Sequence, residues 1–353
     1  TDDLSLGSPQ AKQGLMWSGT QEGRVRNDGY ECVSPGSNAE TGQPVPRFFV
    51  STMVEDDEGM SWLGTHLFGL WRLDPRTEII ARVPCGASGA QGEVDTEIRD
   101  IGLDNEGNVV VARSSTGFCR HGPTGSCLEI NRPDPSVDSS LPSDRLTCIF
   151  VDDRGGTWVG LQNAGLAYRD PGGDRWSHFD HDPDDPTSLL HDEVNHIYQA
   201  ADGRIWISTT GGLSRWSWHT RSFVSWVPDP EQTVTSANYL LEITDTGDGN
   251  LWIGSAVGLY HFDIASETFR LSAHDPSDPL SPVKGPVLSI CRDRSGIVWA
   301  GSWHAGLNMH DPASQKFRYT DHDPDDPTTI DDDAVMAIFE DSRDAPTGGT
   351  GSG

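Results

Sequence analysis

The sequence predicts an all-β fold: a seven-bladed β-propeller of four-stranded antiparallel blades, closed by pairing of its N- and C-terminal strands. Three observations predict it. A Gly-x-x-Trp unit recurs along the 353 residues at a near-constant step, four strand-like runs fit within each step, and the chain ends carry complementary fractions of one unit.

The recurring unit is a small turn, then Gly-x-x-Trp, a small residue, and later Gly-Leu. Its copies are GLMWSGT, GMSWLGT, GGTWVGL, GRIWIST, GNLWIGS and GIVWAGS, with aromatics at Trp17, Trp62, Trp158, Trp206, Trp252 and Trp299. Between Trp62 and Trp158 lies GNVVVAR, which puts Val110 in the tryptophan's place. Successive anchors are then 45 to 48 residues apart. Each tryptophan falls mid-strand at one place in its unit, where it packs between neighbouring sheets.

The runs between anchors read as strands. VNHIYQAADG is an apolar run ended by an Asp-Gly turn; RIWIST alternates; LSRWSW and SFVSWV follow on either side of a turn at His219-Thr220. No apolar spacing of 3.6 residues supports a helical solenoid. AVMAIFEDS (334–342) reads as a first strand without its blade, and GLMWSGT as a second strand without its first. Pairing them satisfies backbone groups that would otherwise form exposed edges. Residues 1–342 are thus one propeller, with the last blade drawn from 14–46 and 334–342, and 343–353 read as a flexible linker or tag.

Composition narrows the function. The net charge of −29 argues against nucleic acid and against anionic lipid. It reads as a solvated acidic surface, with attraction of a cationic ligand as the alternative. No run of 18 apolar residues exists to span a bilayer. No signal peptide is visible, and a start at Thr1 fits a mature or trimmed form. The six cysteines form no Cys-x-x-Cys pair, which excludes the common zinc motifs. Cys119 and Cys127 flank RHGPTGS and are placed to close a hairpin disulfide in an oxidising compartment, whereas Cys148 and Cys291 read as buried thiols.

These units resemble the two-component regulator propeller repeat. The resemblance is carried by DDRGGTWVGLQNAGLAYRDP (152–171), ADGRIWISTTGGLSRW (201–216), GDGNLWIGSAVGLYHFD (247–263) and DRSGIVWAGSWHAGLNMHDP (293–312). Between them lie HDPDDPTSLLHDEV (181–194), HDPSDPLSPVKGPV (274–287) and HDPDDPTTIDDDAV (322–335). It is strong over 140–342 and weaker over 1–130. It implies the periplasmic or extracellular part of a sensor kinase, often a hybrid one that responds to glycans, with a kinase region elsewhere in the full-length chain. Further blades, a β-sandwich and a membrane anchor are usual in that family and are not seen here.

The aspartate-rich loops allow two readings. Clustered carboxylates suit calcium, but the spacing does not match a twelve-residue calcium loop, and Asp-Pro turns that cap their own backbone explain the same residues.

A propeller's ligand sits on one face of its channel. The loops after the Trp-bearing strand and those before the first strand share that face. After the anchors stand His66, Arg113, Gln162, Asn163, Thr210, Trp303 and His304; before them stand Arg47, Arg145, Glu193, Tyr239 and Lys284. This mixture of aromatic, amide and charged groups suits a small molecule or oligosaccharide, and the basic members suit a uronate or sulfate. A sensory binding module is the first expectation. A lyase using His66, His304, Tyr239 and Arg145 is the second, and a protein-binding scaffold is the third. No nucleophile elbow, zincin helix or phosphate-cradling loop is present, so an enzyme is the less favoured expectation.

Overall fold

The computed structural model of the chain describes residues 16–20, 24–27, 32–33, 48–74, 77, 79–84, 97–137, 139–232, 235–272, 274, 277, 281–282, 285–312, 316–326, 329–330 and 332–342, with 24–27, 32–33 and 316 described by backbone alone. Arg47, Lys284, most of the 14–46 segment and the 343–353 tail lie outside the described residues.

Apart from a 3-10 turn at Ser236–Asn238, the described elements are strands. The first three are β1 (Met16–Thr20), β2 (Arg24–Asn27) and β3 (Cys32–Val33). The next sheet is β4 (Val50–Glu55), β5 (Ser61–Thr65), β6 (Leu70–Asp74) and β7 (Ile79–Val83), followed by β8 (Ile98–Leu103), β9 (Val109–Arg113), β10 (Gly117–His121) and β11 (Cys127–Asn131). Then come β12 (Leu146–Val151), β13 (Thr157–Leu161), β14 (Leu166–Arg169) and β15 (Trp176–Phe179), and β16 (Val194–Gln199), β17 (Ile205–Thr209), β18 (Gly212–Ser217) and β19 (Ser222–Trp226). Last are β20 (Leu240–Asp245), β21 (Leu251–Ser255), β22 (Gly258–Asp263) and β23 (Thr268–Ser272), then β24 (Val287–Arg292), β25 (Val298–Ser302), β26 (Leu307–Asp311) and β27 (Lys316–Thr320), and finally β28 (Val335–Glu340).

The protein is an all-β propeller with four-stranded antiparallel blades. Six blades are built from consecutive strands, β4–β7 through β24–β27; a further sheet has the order β28-β1-β2-β3. There β1 pairs antiparallel with β28, Trp17 opposite Phe339. Within that sheet Trp17 Nε1 donates to Asp341 Oδ2 at 3.1 Å, so the two chain ends complete each other in side chains as well as backbone.

The core is a set of layers between blades. Trp158, Leu166 and Tyr168 of one blade pack on Val194, Ile197 and Trp216 of the next, and Trp62, Leu70 and Val83 pack on Ile98, Ile101 and Val109. Two features of the repeat follow from this packing. The aspartate six residues before the tryptophan receives its indole N–H: Trp62 to Asp56 at 2.7 Å, Trp158 to Asp152 at 2.8 Å, Trp299 to Asp293 at 2.8 Å. The same carboxylate caps the turn, as Asp152 Oδ1 accepts from Arg154 N and Gly156 N. The glycine two residues after the tryptophan admits the next blade: a Cβ on Gly64 would sit 2.6 Å from Ile98 Cγ2, and one on Gly301 2.7 Å from Val335 O.

One pairing expectation is corrected. Cys127 is a free thiol, and Cys119 is disulfide-bonded to a cysteine whose side chain lies outside the described residues. Cys119 sits opposite Ile130, while Cys127 sits opposite His121, so the hairpin register keeps the two apart. Cys148 is buried, as the sequence suggests, and Cys291 is half-buried.

Candidate functional site at the central channel

Strands β4, β8, β12, β16, β20, β24 and β28 are innermost, and each contacts the next in cyclic order, β28 returning to β4. Each carries a register shift near its start, between Val50 and Thr52, Ile98 and Asp100, Leu146 and Cys148, Val194 and His196, Leu240 and Ile243, and Val287 and Ser289; on the terminal sheet the shift falls between Gly19 and Thr20 of β1, opposite β28. A bulge breaks the in-out alternation and re-aims side chains. Here it turns two successive residues toward a cavity of about 170 Å³. The first of each pair is Ser51, Arg99, Thr147, Asn195, Leu241, Leu288 or Met336; the second includes Thr52, Asp100, Cys148, His196, Glu242 and Ala337.

The second residue also ties the ring together. Asp100 Oδ2 accepts from Ile149 N at 2.9 Å, His196 Nδ1 from Ile243 N at 3.2 Å, and Glu242 Oε2 from Ile290 N at 2.9 Å, each across a blade boundary. Asn195 Nδ2 donates to Leu240 O at 2.6 Å and Ser51 Oγ to Ile98 O at 2.6 Å. Burial pushes the Asp100 carboxyl up to about 7 against its backbone donors, and pushes Glu242 up to about 8, with the charge of Asp100 adding to the rise. Burial lowers His196 to about 4, which keeps the imidazole neutral.

Above the cavity lies the rim where the candidates were expected. Five backbone hydrogen bonds tie the loop after the second strand to the residue before the first: His66 N to Phe49 O, Ser114 N to Glu97 O, Gln162 N to Arg145 O, Thr210 N to Glu193 O and Ala256 N to Tyr239 O. The two loop classes therefore share one face. Gln162 meets Arg145, and Thr210 meets Glu193, through these bonds. Asn163, held at φ 54°, donates its N–H to Glu193 Oε2 at 2.8 Å. His66 Nδ1 lies 2.9 Å from Glu97 Oε1, and Arg99 donates to the same oxygen at 2.7 Å, so rim and cavity are electrostatically continuous. Tyr239 is exposed; burial of its phenol and the Glu193 charge raise its pKa, and Arg99 opposes them. Trp303 and His304 contact each other edge to face at 5.8 Å.

Arg113 departs from the expected ring. It ends β9 and is 4% exposed, in the position where Thr65, Thr209 and Ser255 close the following turn through their hydroxyls. Sequence reasoning missed the inner pairs, Asp100, His196 and Glu242 above all. Their signal is a fixed register, two and three places into each first strand, where residue type changes from blade to blade.

The aspartate-rich loops spend their carboxylates locally. Asp182 Oδ1 accepts from Asp184 N and Asp185 Oδ1 from Thr187 N, while His181 N donates to Asp192 Oδ1. The loop at 322–333 repeats this, with His322 N on Asp333 Oδ1 and Asp325 N on Asp323 Oδ1. Among the described residues no group of three or more His, Cys, Asp or Glu side chains is placed to hold a metal ion.

Fold and site together define a β-propeller with a small mixed-polarity cavity on its axis. Residues 188–211 match the family described as two component regulator propeller, in line with the resemblance read from the repeats. No curated protein matches the chain in sequence. Among solved structures, the extracellular domain of a hybrid two component system from B. thetaiotaomicron is 22% identical with a TM-score of 0.68, covering 84% of this chain and 38% of that one. PorZ of Porphyromonas gingivalis, a surface component of the type-IX secretion system, is 14% identical at a TM-score of 0.60, covering 88% and 43%. Virginiamycin B lyase from Staphylococcus aureus, solved as an inactive variant with quinupristin, is 13% identical at 0.54, covering 88% and 95%. The chain thus spans well under half the length of the two-component domain it matches. These likenesses establish the fold.

Proposed function

We propose that the chain closes as a seven-bladed ring and serves as the extracytoplasmic, ligand-binding module of a two-component-type signalling protein. It takes a small molecule, or one end of an oligosaccharide, at the rim and axis of its channel. The observation that carries this reading is the bulge that every innermost strand shares with its neighbour strand, which presents a ring of dissimilar side chains to one cavity. Structure alone does not need such variety; a ring that only packed would repeat. A volume of about 170 Å³ suits a single ring or short chain, close to the engineered cavity of about 150 Å³ that binds benzene.

The disulfide at Cys119 supports an oxidising compartment. No helix among the described residues is long and apolar enough to cross a membrane. The likeness to an extracellular domain of a hybrid system supports the signalling role and its placement.

The test is a melting-temperature screen of small sugars, uronates, sulfated oligosaccharides and polar metabolites, since a ligand that binds the native state raises its stability. At least one compound is expected to raise Tm by several degrees in the wild type and not in Leu288→Trp, which fills the cavity. A ligand whose shift survives in Leu288→Trp would refute the channel as the site. Release of an ultraviolet-absorbing unsaturated product would replace binding with lyase chemistry.

A further inference from the structure

We propose that the cleft between the β8–β11 and β12–β15 blades is a second binding site, for a small planar aromatic molecule of the indole class that carries an N–H donor. The site lies apart from the channel and does not rest on the channel reading.

The repeat itself supplies the argument. The anchor tryptophan of a blade packs on the blade that follows: Trp62 on Ile98 and Ile101, Trp158 on Val194 and Ile197. At the same register β9 carries Val110, which packs on Ile149 and Val159. An isopropyl group reaches less far than an indole, and beside Val110 the two blades part into a cleft of about 360 Å³. Its floor is Val110 and Phe118, both buried, with Val151 of the next blade. Turn residues 104–106 and Gly155 also line it, so it opens on the edge of the blades opposite the channel rim.

The groups that surround an indole in other blades are present here too. In four of them the residue directly across on the third strand covers the ring. Arg72 lies 5.7 Å from Trp62, Tyr168 4.4 Å from Trp158, Arg215 5.6 Å from Trp206 and His261 5.1 Å from Trp252. Arg120 is the corresponding partner of Val110, and it lines the cleft. Asp104 stands six residues before Val110 and caps its turn as Asp152 does, Oδ1 accepting from Glu106 N and Asn108 N. Its Oδ2, the oxygen that takes the indole N–H from Trp62, Trp158 and Trp299 in their blades, holds Asn108 Nδ2 at 3.0 Å, with Arg120 Nε 3.3 Å away. A carboxylate oxygen accepts more than one donor, so a ligand N–H joins Asn108 there. A ring laid on Val110 thus meets a guanidinium, apolar side chains and an acceptor for its edge.

Charge selects within the class. Of the charged side chains lining the cleft, Arg120 is held by Asp104 and Glu106, and Arg169 by Glu129; Asp170 adds a further acid. Both guanidiniums are already neutralised toward an incoming anion, and the excess of acid favours a neutral or cationic ring.

The experiment compares indole, tryptamine, 1-methylindole and indole-3-acetate by calorimetry and melting curves on the whole chain. Indole and tryptamine are expected to bind the wild type and raise its Tm. 1-Methylindole lacks the donor and is expected to bind about tenfold more weakly than indole. Indole-3-acetate is expected to bind about threefold or more below tryptamine, the gap narrowing with added salt. Val110→Trp places an indole in the cleft covalently and is expected to abolish binding. Val110→Met, a milder filler, is expected to weaken it and serves as the block if Val110→Trp does not fold. Arg120→Gln is expected to weaken binding about threefold. Leu288→Trp, which fills the channel, is expected to leave binding unchanged. The proposal is overturned by no binding of indole or tryptamine, by undiminished binding in the Val110 variants, or by equal binding of 1-methylindole or indole-3-acetate. It is overturned equally by loss of the indole shift in Leu288→Trp, which would place the ring in the channel instead.

Discussion

Two registers of the same blade follow different rules. On the second strand, the tryptophan position recurs with its partners: an aspartate six residues earlier takes the indole N–H, and a glycine two residues later admits the next blade. On the first strand, the bulged position recurs only in geometry, holding Thr52, Asp100, Cys148, His196, Glu242, Ser289 and Ala337 in turn. Close packing dictates identity where a methyl group more would collide. Where the side chain faces a cavity, the backbone fixes its direction and leaves its chemistry open. The recurring geometry thus builds the ring, while the side chains at the inner register differ from blade to blade.

The sharpest way to break this division is to remove a cap. Asp152→Ala takes an acceptor from Arg154 N, Gly156 N and the Trp158 indole, all in or beside the core. A loss of ~3 kcal/mol in urea unfolding is expected, since orphaned buried donors cost ~1–3 kcal/mol each in the worst case. Next comes Gly301→Ala, whose methyl would sit 2.7 Å from both Val335 O and Val335 Cγ1. Because a backbone atom cannot swing away, ~2 kcal/mol is expected. The cavity-facing Leu288→Asn is expected to cost about 1 kcal/mol or less. If Leu288→Asn were as damaging as Gly301→Ala, the inner register would be packing and the distinction would fall.

The acidic pair gives the comparison a pH axis. Glu242 rises from an ordinary 4.5 to about 8, so between those values the folded chain holds a proton that the unfolded chain has released. Stability from this group is full below about 4.5 and is lost as pH climbs to about 8. Asp100 acts in the same sense from 3.8 to about 7. His196, lowered from 6.5 to about 4, acts oppositely and withdraws stability as the solution is acidified through that window. Glu242→Gln keeps an acceptor for Ile290 N and removes the charge. It is expected to stabilise by ~2 kcal/mol at pH 9, a value discounted for water in the lumen, and by nothing measurable at pH 4. A pH-independent effect would show that Glu242 is not enclosed.

The sequence made the blades readable because tryptophan, aspartate and glycine at fixed spacing are what the interblade contacts demand. Complementary ends were readable for the same reason: Asp341 and Trp17 are the two halves of one motif, 324 positions apart. The face assignment followed from strand alternation and is matched by the loop-to-loop hydrogen bonds at His66, Gln162 and Thr210. The cavity was not readable. Strict alternation would send only one of Arg99 and Asp100 inward, and the bulge that sends both depends on pairing with β9 rather than on local composition. The Cys119 partner was missed for a similar reason: nearness in sequence favoured Cys127, but the register across the hairpin opposes it.

The smallest expected effect completes a motif. Trp206 is fully buried, and its Nε1 has no hydrogen-bond partner, because Ala200 stands where other blades place the aspartate. The turn is otherwise the same: Ala200 N bonds Arg204 O and Gly203 N bonds Ala200 O, as Asp152 does with Gly156 and Gly155. Arg204 and Arg215 stack over the indole at 5.7 and 5.6 Å and would draw a carboxylate inward. Ala200→Asp is therefore expected to stabilise the fold by ~1 kcal/mol, the net yield of one buried charged hydrogen bond after its desolvation. In Asp152→Ala the double mutant is expected to recover only that amount, because the two turns lie in separate blades and share no partner. A neutral or destabilising Ala200→Asp would mean that desolvating the new carboxylate outweighs its bond to the indole N–H, and that the aspartate elsewhere serves the turn more than the tryptophan.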